Sequence, residues 1–134
     1  MLFRSDLSAA DLTEADLSGA DLRQAVLDAA TTLHDKWRLV WEIANQGGAG
    51  RDLRQANLSW SFLAECDLHG ANLEGANLRE VNLQKANLQG ANLAKSDLRG
   101  ANLRGANLRA ADLRGADLQG ADQAGAIVDE AKFY

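Results

Sequence analysis

From residue 53 to residue 118 a leucine returns at every fifth position: 53, 58, 63, 68, 73, 78, 83, 88, 93, 98, 103, 108, 113 and 118. Gln123, Val128 and Phe133 continue the same frame. Two residues before each centre stands a small residue, alanine in most units and Ser61, Cys66, Val81 or Ser96 in others. Asparagine or aspartate nearly always fills the place between them. An earlier block repeats the pattern at Leu7, Leu12, Leu17, Leu22 and Leu27, with Leu2 in the same frame. The step from Leu27 to Leu53 is 26 residues, so the frame slips by one between the blocks.

A period of five suits no ordinary element. On an α-helix five residues advance about 500°, so successive leucines would spiral about 140° apart and form no face. On a strand an odd period would throw them alternately to both sides. The pattern predicts a solenoid in which each unit is one side of a coil and the leucine and its small neighbour point inward.

Residues 31–50, TTLHDKWRLVWEIANQGGAG, interrupt the repeat. Trp37, Val40, Trp41 and Ala44 fall at i, i+3, i+4 and i+7, one stripe of an amphipathic helix. Asp35 lies at its first turn and Gly47-Gly48 supplies the stop, so the spacing predicts a helix near 35–46. Directly afterwards SWSFL places Phe62 where the repeat otherwise holds Asn or Asp, and turns Trp60 outward. The expectation is a helix against an outer wall, with Trp37 and Trp41 packed on Trp60 and Phe62; a helix that caps a coil end is the alternative.

The A(D/N)LxG units over residues 1–29 and 51–134 resemble the pentapeptide-repeat family, and KWRLVWEIANQGG is similar to segments that interrupt its cyanobacterial members. The resemblance implies an all-β solenoid, a right-handed quadrilateral β-helix of about five to six coils with one inserted helix. It implies a single domain, 1–134, with the helical insert at 30–50. Four units then close a turn, and residues 20 apart stack. Leu73, Leu93 and Leu113 form one ladder, Leu83 and Leu103 a second, and Leu88 belongs to a third. Each interior leucine is expected to contribute about 1.5–3 kcal/mol by burial. Column 52, 72, 92, 112 reads Asp, Asn, Asn, Asp, so amides bond along the ladder where carboxylates would repel. Asp97 over Asp117 is the exception. Glycine recurs two residues after the leucine, as at Gly90 and Gly105, where a corner calls for positive φ.

Composition narrows the chemistry. Fourteen Lys+Arg against 19 Asp+Glu give a net charge of −5, which is no footprint of general nucleic-acid binding. No run of apolar residues is long enough to span a membrane. The acidic start lacks an apolar signal core, so the cytoplasm is expected. Cys66, the single cysteine, excludes an internal disulfide and a thiolate metal cage; its inward position marks a buried structural thiol. His34 and His69 have no clustered ligands around them. GGAG at 47–50 follows a helix instead of opening one, which suits a cap and not a phosphate cradle. No catalytic residue, cofactor or metal is expected, because a filled axis offers no pocket.

Charge and the ends carry the remaining expectations. Residues 1–30 hold six acids against Arg4 and Arg23, whereas Arg99, Arg104, Arg109 and Arg114 each follow a repeat leucine and belt four successive sides. That belt would dock an acidic partner. Ile127, Val128, Phe133 and Tyr134 gather in the last coil, where self-capping is expected first and homodimerisation through that end second. The resemblance implies a non-enzymatic protein–protein interaction module or regulatory scaffold whose partner is an unidentified protein. Neither a membrane nor direct nucleic-acid binding is expected. Candidate contact residues are the four belt arginines with Trp37, Trp41 and Trp60. Some family members mimic DNA and bind type II topoisomerases, and that is the alternative; nine bases against eight acids over residues 51–118 disfavour it.

Overall fold

The structure is a computed structural model and describes all residues 1–134. Pairing at a spacing of 20 residues organises it. Parallel bridges join Asp52 to Asn72, Asn72 to Asn92 and Asn92 to Asp112, and parallel columns begin at Asn57, Phe62 and Asp67. The N–H of each repeat leucine from Leu53 to Leu113 donates to a carbonyl in the next turn, as Leu73 does to Asn92 at 2.7 Å. The Asn92 N–H donates back to Ala71 at 2.9 Å. Within a unit the small residue closes a tight turn, the Ala76 N–H donating to the Leu73 carbonyl at 3.0 Å. Almost every backbone group of a wall is thereby satisfied without regular strands longer than a bridge.

The choice of Asn or Asp before each leucine follows from two bonds. Its Oδ1 accepts the N–H two residues on, as in Ala94 to Asn92 at 3.0 Å, which holds the corner. Its amide reaches the neighbouring turn, Asn92 Nδ2 donating to Asn72 Oδ1 at 3.2 Å and Asn107 to Asn87 at 3.3 Å. Where Asp97 stacks on Asp117, Arg99 replaces the missing donor: its guanidinium lies 2.5 Å from Asp97 and 3.6 Å from Asp117. The corner itself requires left-handed backbone. Gly105 takes φ 64° freely, while Glu80 holds φ 53° with a side chain attached.

The core is a column of leucine and alanine. Leu73, Leu83, Leu88, Leu93 and Leu103 are completely buried, Leu113 nearly so, and Cys66 is 6% exposed. Ser61 and Ser96, at alanine positions, stay buried because each hydroxyl donates to a carbonyl three residues back, at 2.6 and 2.7 Å.

The frame slip has a definite place. Asp6 pairs with Val26, 20 residues on, but the short parallel pair β1 (Asp11–Leu12) and β2 (Thr32–Leu33) is offset by 21. The additional residue lies in the loop where Asp28 and Thr31 bond each other and the Thr31 hydroxyl reaches the Leu7 carbonyl. From Leu33 onward the chain is already in the frame of the long block, and Ile43 and Gly48 fall on it.

Helix α1 (Asp35–Gln46) follows at once. His34 caps it by accepting the Lys36 N–H, and Gly47 at φ 84° ends it with its N–H on the Ile43 carbonyl. Trp37, Val40 and Ile43 are buried in the same cluster as the repeat leucines. The outer-wall expectation is therefore corrected: α1 sits at the junction of the two blocks and helps close the near end of the long stack. Asn45 donates to the Leu22 carbonyl and Trp41 Nε1 to that of Ala25, both in the first block. Glu42 pairs with Arg51 of the second. Leu53, Leu58 and Leu63 are consequently buried although no regular coil precedes them. A single backbone hydrogen bond joins the two blocks directly, Gly19 N–H to the Trp60 carbonyl at 2.7 Å. Gly48 continues the column of Leu68, whose Cδ2 takes the space a side chain there would fill, with Ile43 beside it. No helix is long and apolar enough to cross a membrane.

Candidate functional site

Because the interior is filled, chemistry is confined to the walls, the junction and the ends. The belt arginines do stand on the outer walls, each about half exposed, but none offers a free charge. Arg99 holds Asp97 and Asp117, Arg104 reaches Asp122 at 3.1 Å, Arg109 reaches Asp129 at 3.0 Å, and Arg114 clasps Asp112 at 2.6 Å. The expected positive belt is thus neutralised on the rod itself. The cause is register: a residue two after an Asn or Asp column lies beside its own column and beside that of the next turn. Such exposed pairs exchange readily with a partner's charges.

The three candidate tryptophans part company. Trp37 is only 6% exposed and is withdrawn as a contact residue, since its ring fills the junction beneath the Lys36 ammonium, 4.4 Å away. Trp41 is half-buried, with its indole N–H donating to the Ala25 carbonyl at 2.7 Å. Trp60 alone is substantially open, at 51%. Lys36 extends from α1 to the Ser59 hydroxyl at 3.2 Å, and burial lowers its pKa. His34 serves as the helix cap, and His69 lies against Asp67 at 2.8 Å. Burial pushes the Cys66 thiol up to about 11, so it stays protonated and inert at neutral pH.

The far end of the stack is open. Ile127 and Val128 are each 41% exposed, Tyr134 is fully exposed, Gln123 faces solvent and Phe133 is half-buried. The expectation of self-capping is corrected: the last residues extend the ladder, Ile127 and Lys132 bridging to Asn107 and Asp112, so they cannot also fold across its end.

A feature the sequence reading missed lies beside the junction. Met1, Phe3, Leu17 and Phe62 line a groove of about 770 Å³ with Asp16 and Arg23 at its edge. Arg23 is stacked 5.1 Å over Phe62 and 5.7 Å over Phe3. Asp21 fixes the same guanidinium through two bonds of 2.9 and 2.7 Å, and Glu65 approaches at 3.5 Å. The sequence signal was Phe62 in an Asn column; nothing local announced that residues 3, 23 and 62 would meet.

A family model described as pentapeptide repeats matches the chain in 8 copies, over residues 4–31, 52–90 and 86–122. No curated protein matches it. Among solved structures it is similar to HetL from the cyanobacterium Nostoc sp. strain PCC 7120, a pentapeptide repeat protein involved in heterocyst differentiation regulation. The two share 33% identity at a TM-score of 0.57 over 97% of this chain and 47% of HetL. It is also similar to a second pentapeptide repeat protein of Nostoc PCC 7120, at 37% identity and a TM-score of 0.58, covering 59% of this chain and 65% of that one. The chain thus spans about half the length of HetL.

Proposed function

The chain belongs to the pentapeptide repeat family, whose members fold as right-handed quadrilateral β-helices, and from that premise we propose that it is a non-enzymatic protein-interaction module. In this reading residues 1–134 act as one domain, a rod of about five to six coils with α1 inserted, that offers its outer surface to a partner protein. The observation that carries it is the filled interior: every repeat leucine from Leu58 to Leu108 is fully buried. Side chains free to differ from unit to unit are those outside. The relative's involvement in differentiation regulation supports a regulatory role. A DNA-mimic role has less support, because four arginines with their carboxylates neutralise the wall that would have to present continuous negative charge.

Two surfaces enter the proposal. The belt residues Arg104 and Arg109 would trade their own carboxylates for those of the partner. The open last coil, with Val128 and Phe133, would hold a second copy of the chain. Affinity capture from the producing cells followed by calorimetry with the purified partner tests the reading. Binding of a protein with no turnover of small molecules is expected, and failure to retain any protein would refute it. Arg104→Glu with Arg109→Glu is expected to weaken the complex without unfolding the rod. Sedimentation of wild type against Val128→Lys checks self-association.

A further inference from the structure

The start of α1 is held by a group that titrates. Helix N-caps are ordinarily Ser, Thr, Asp or Asn, whose oxygens accept throughout the neutral range. Here the cap is His34, and its ring Nδ1 accepts the Lys36 N–H at 3.2 Å. Such a bond exists only while Nδ1 keeps its lone pair, which requires the neutral imidazole with its proton on Nε2. An imidazolium carries a proton on both nitrogens, so it opposes the Lys36 N–H instead of receiving it. Its charge also lies at the positive end of the helix dipole.

What the cap secures is the junction. The first turn of α1 carries Lys36, whose ammonium reaches the Ser59 hydroxyl at 3.2 Å, and Trp37, buried in the common core. Arg38 follows with a bond to the Thr31 carbonyl at 3.0 Å. The other end of α1 is tied separately, by Trp41 and Asn45 to the first block and by Glu42 to Arg51. Loss of the cap therefore loosens one end of the helix and leaves the other in place.

The charges facing His34 decide where a released ring goes. The imidazole borders a depression of about 320 Å³ together with Glu14, Asp16, Lys36 and Trp37. Asp16 is held by the Ser18 N–H at 3.0 Å, whereas Glu14, on the same rim, is exposed and unpaired. Asp35 adds a third carboxylate in the first turn of the helix itself. The cations around it are engaged elsewhere: Lys36 with Ser59, Arg38 with Thr31, and Arg54, at the equivalent place one coil on, with Asp52 at 2.7 Å. Glu14 is the carboxylate left open to an imidazolium.

We propose that His34 is a proton-operated latch on the junction: the neutral ring caps α1, and the protonated ring leaves the cap for Glu14 and frees the first helical turn. Histidine is the side chain whose ordinary titration falls between about pH 5 and 8, so the latch is closed at the upper end of that range and open at the lower. Asp11 and Asp52, held down to about 2, stay ionised throughout it, so the walls do not respond over the same interval. The device is a property of the fold and stands or falls independently of which partner the module binds.

Amide exchange of the full chain tests it, read by NMR near about pH 7.5 and about pH 5.5 and referred at each to the rate of an unstructured chain. Protection of the Lys36 and Trp37 N–H groups should fall about fivefold on acidification, the change that accompanies loss of an N-cap. The His34 ring should at the same time acquire an NOE to Glu14. His34→Asn supplies a cap that does not titrate and should hold the protection constant, while His69→Gln should behave as wild type. The latch is overturned if protection falls equally in His34→Asn, or if it stays constant in wild type while the His34 ring resonances shift. Loss of the response in His69→Gln would also overturn it, since the proton would then act through the other histidine.

Discussion

A side chain at Gly48 would compete with Leu68 for one space, and the competition has a measurable consequence. Gly48 continues the column of Leu68 but lacks a side chain; a Cβ built there would lie 2.5 Å from Leu68 Cδ2 and 3.3 Å from Ile43 Cγ2. Ile43 is 1% exposed and Leu68 fully buried, so neither can swing into solvent. The backbone at Gly48 is not left-handed, so the obstacle to a larger residue is packing alone. Gly48→Leu should cost about 1–3 kcal/mol through overpacking. Leu68→Ala should cost about 2–5 kcal/mol, the range for emptying a buried aliphatic position. In the double variant the new leucine enters the room that Leu68 vacated, and the combined loss should fall short of the sum by about 1–3 kcal/mol.

Urea unfolding followed by tryptophan fluorescence reads all four corners of this cycle. At about 2.1 cal/mol/K of unfolding entropy per residue, a chain of 134 residues shifts its Tm by ~3.5 °C for each kcal/mol, so melting curves give an independent measure. Additivity to within about 0.5 kcal/mol would refute the reasoning, for it would mean that the two side chains do not share a site.

Acid should weaken the fold over a defined range. Hydrogen bonds hold Asp11, Asp52 and Asp112 down to about 2, chiefly from Thr32, Arg54 and Arg114 respectively. A depressed folded-state value means stability that is complete above the unfolded value of about 4 and lost as pH falls toward 2. Asp112→Asn should flatten that slope in pH-dependent urea titrations, and an unchanged slope would contradict the origin assigned to it. Arg99→Gln leaves Asp97 and Asp117 stacked without their shared cation; it should lower the Tm more at low salt than at high salt, and Asp117→Asn should restore it. Equal loss at both salts with no rescue would remove the repulsion explanation. Cys66 should resist a maleimide at neutral pH in the folded protein and react once urea unfolds it; labelling of the native chain at a free-thiol rate would show that the column is not closed there.

Much of the architecture lay on the surface of the sequence. A leucine every fifth residue left only a solenoid, and the resemblance to a square-section repeat implied that residues 20 apart stack, as in the Asp, Asn, Asn, Asp column at 52, 72, 92 and 112. The stripe of Trp37, Val40 and Trp41 marked a helix, and its flanks marked the ends. These readings succeed because each depends on neighbours along the chain or on an identical neighbour one turn away, so local rules repeat into a global one.

What faced what at the junction was a different matter. Whether α1 lay on a wall or closed a coil end depended on the 21-residue offset of β1 and β2, a single added residue that sets where the helix begins relative to the stack. Whether Arg99 to Arg114 formed a free belt depended on carboxylates two residues back, as Asp112 is for Arg114, and one turn on, as Asp129 is for Arg109. Whether Phe3, Arg23 and Phe62 formed a groove depended on how two blocks sharing one backbone bond meet. A periodic sequence specifies its own continuation because each coil templates the next. It holds no such template for the contact between one run of coils and another, which is settled only when burial of Trp37, Val40 and Ile43 selects the one arrangement that leaves no core open between them.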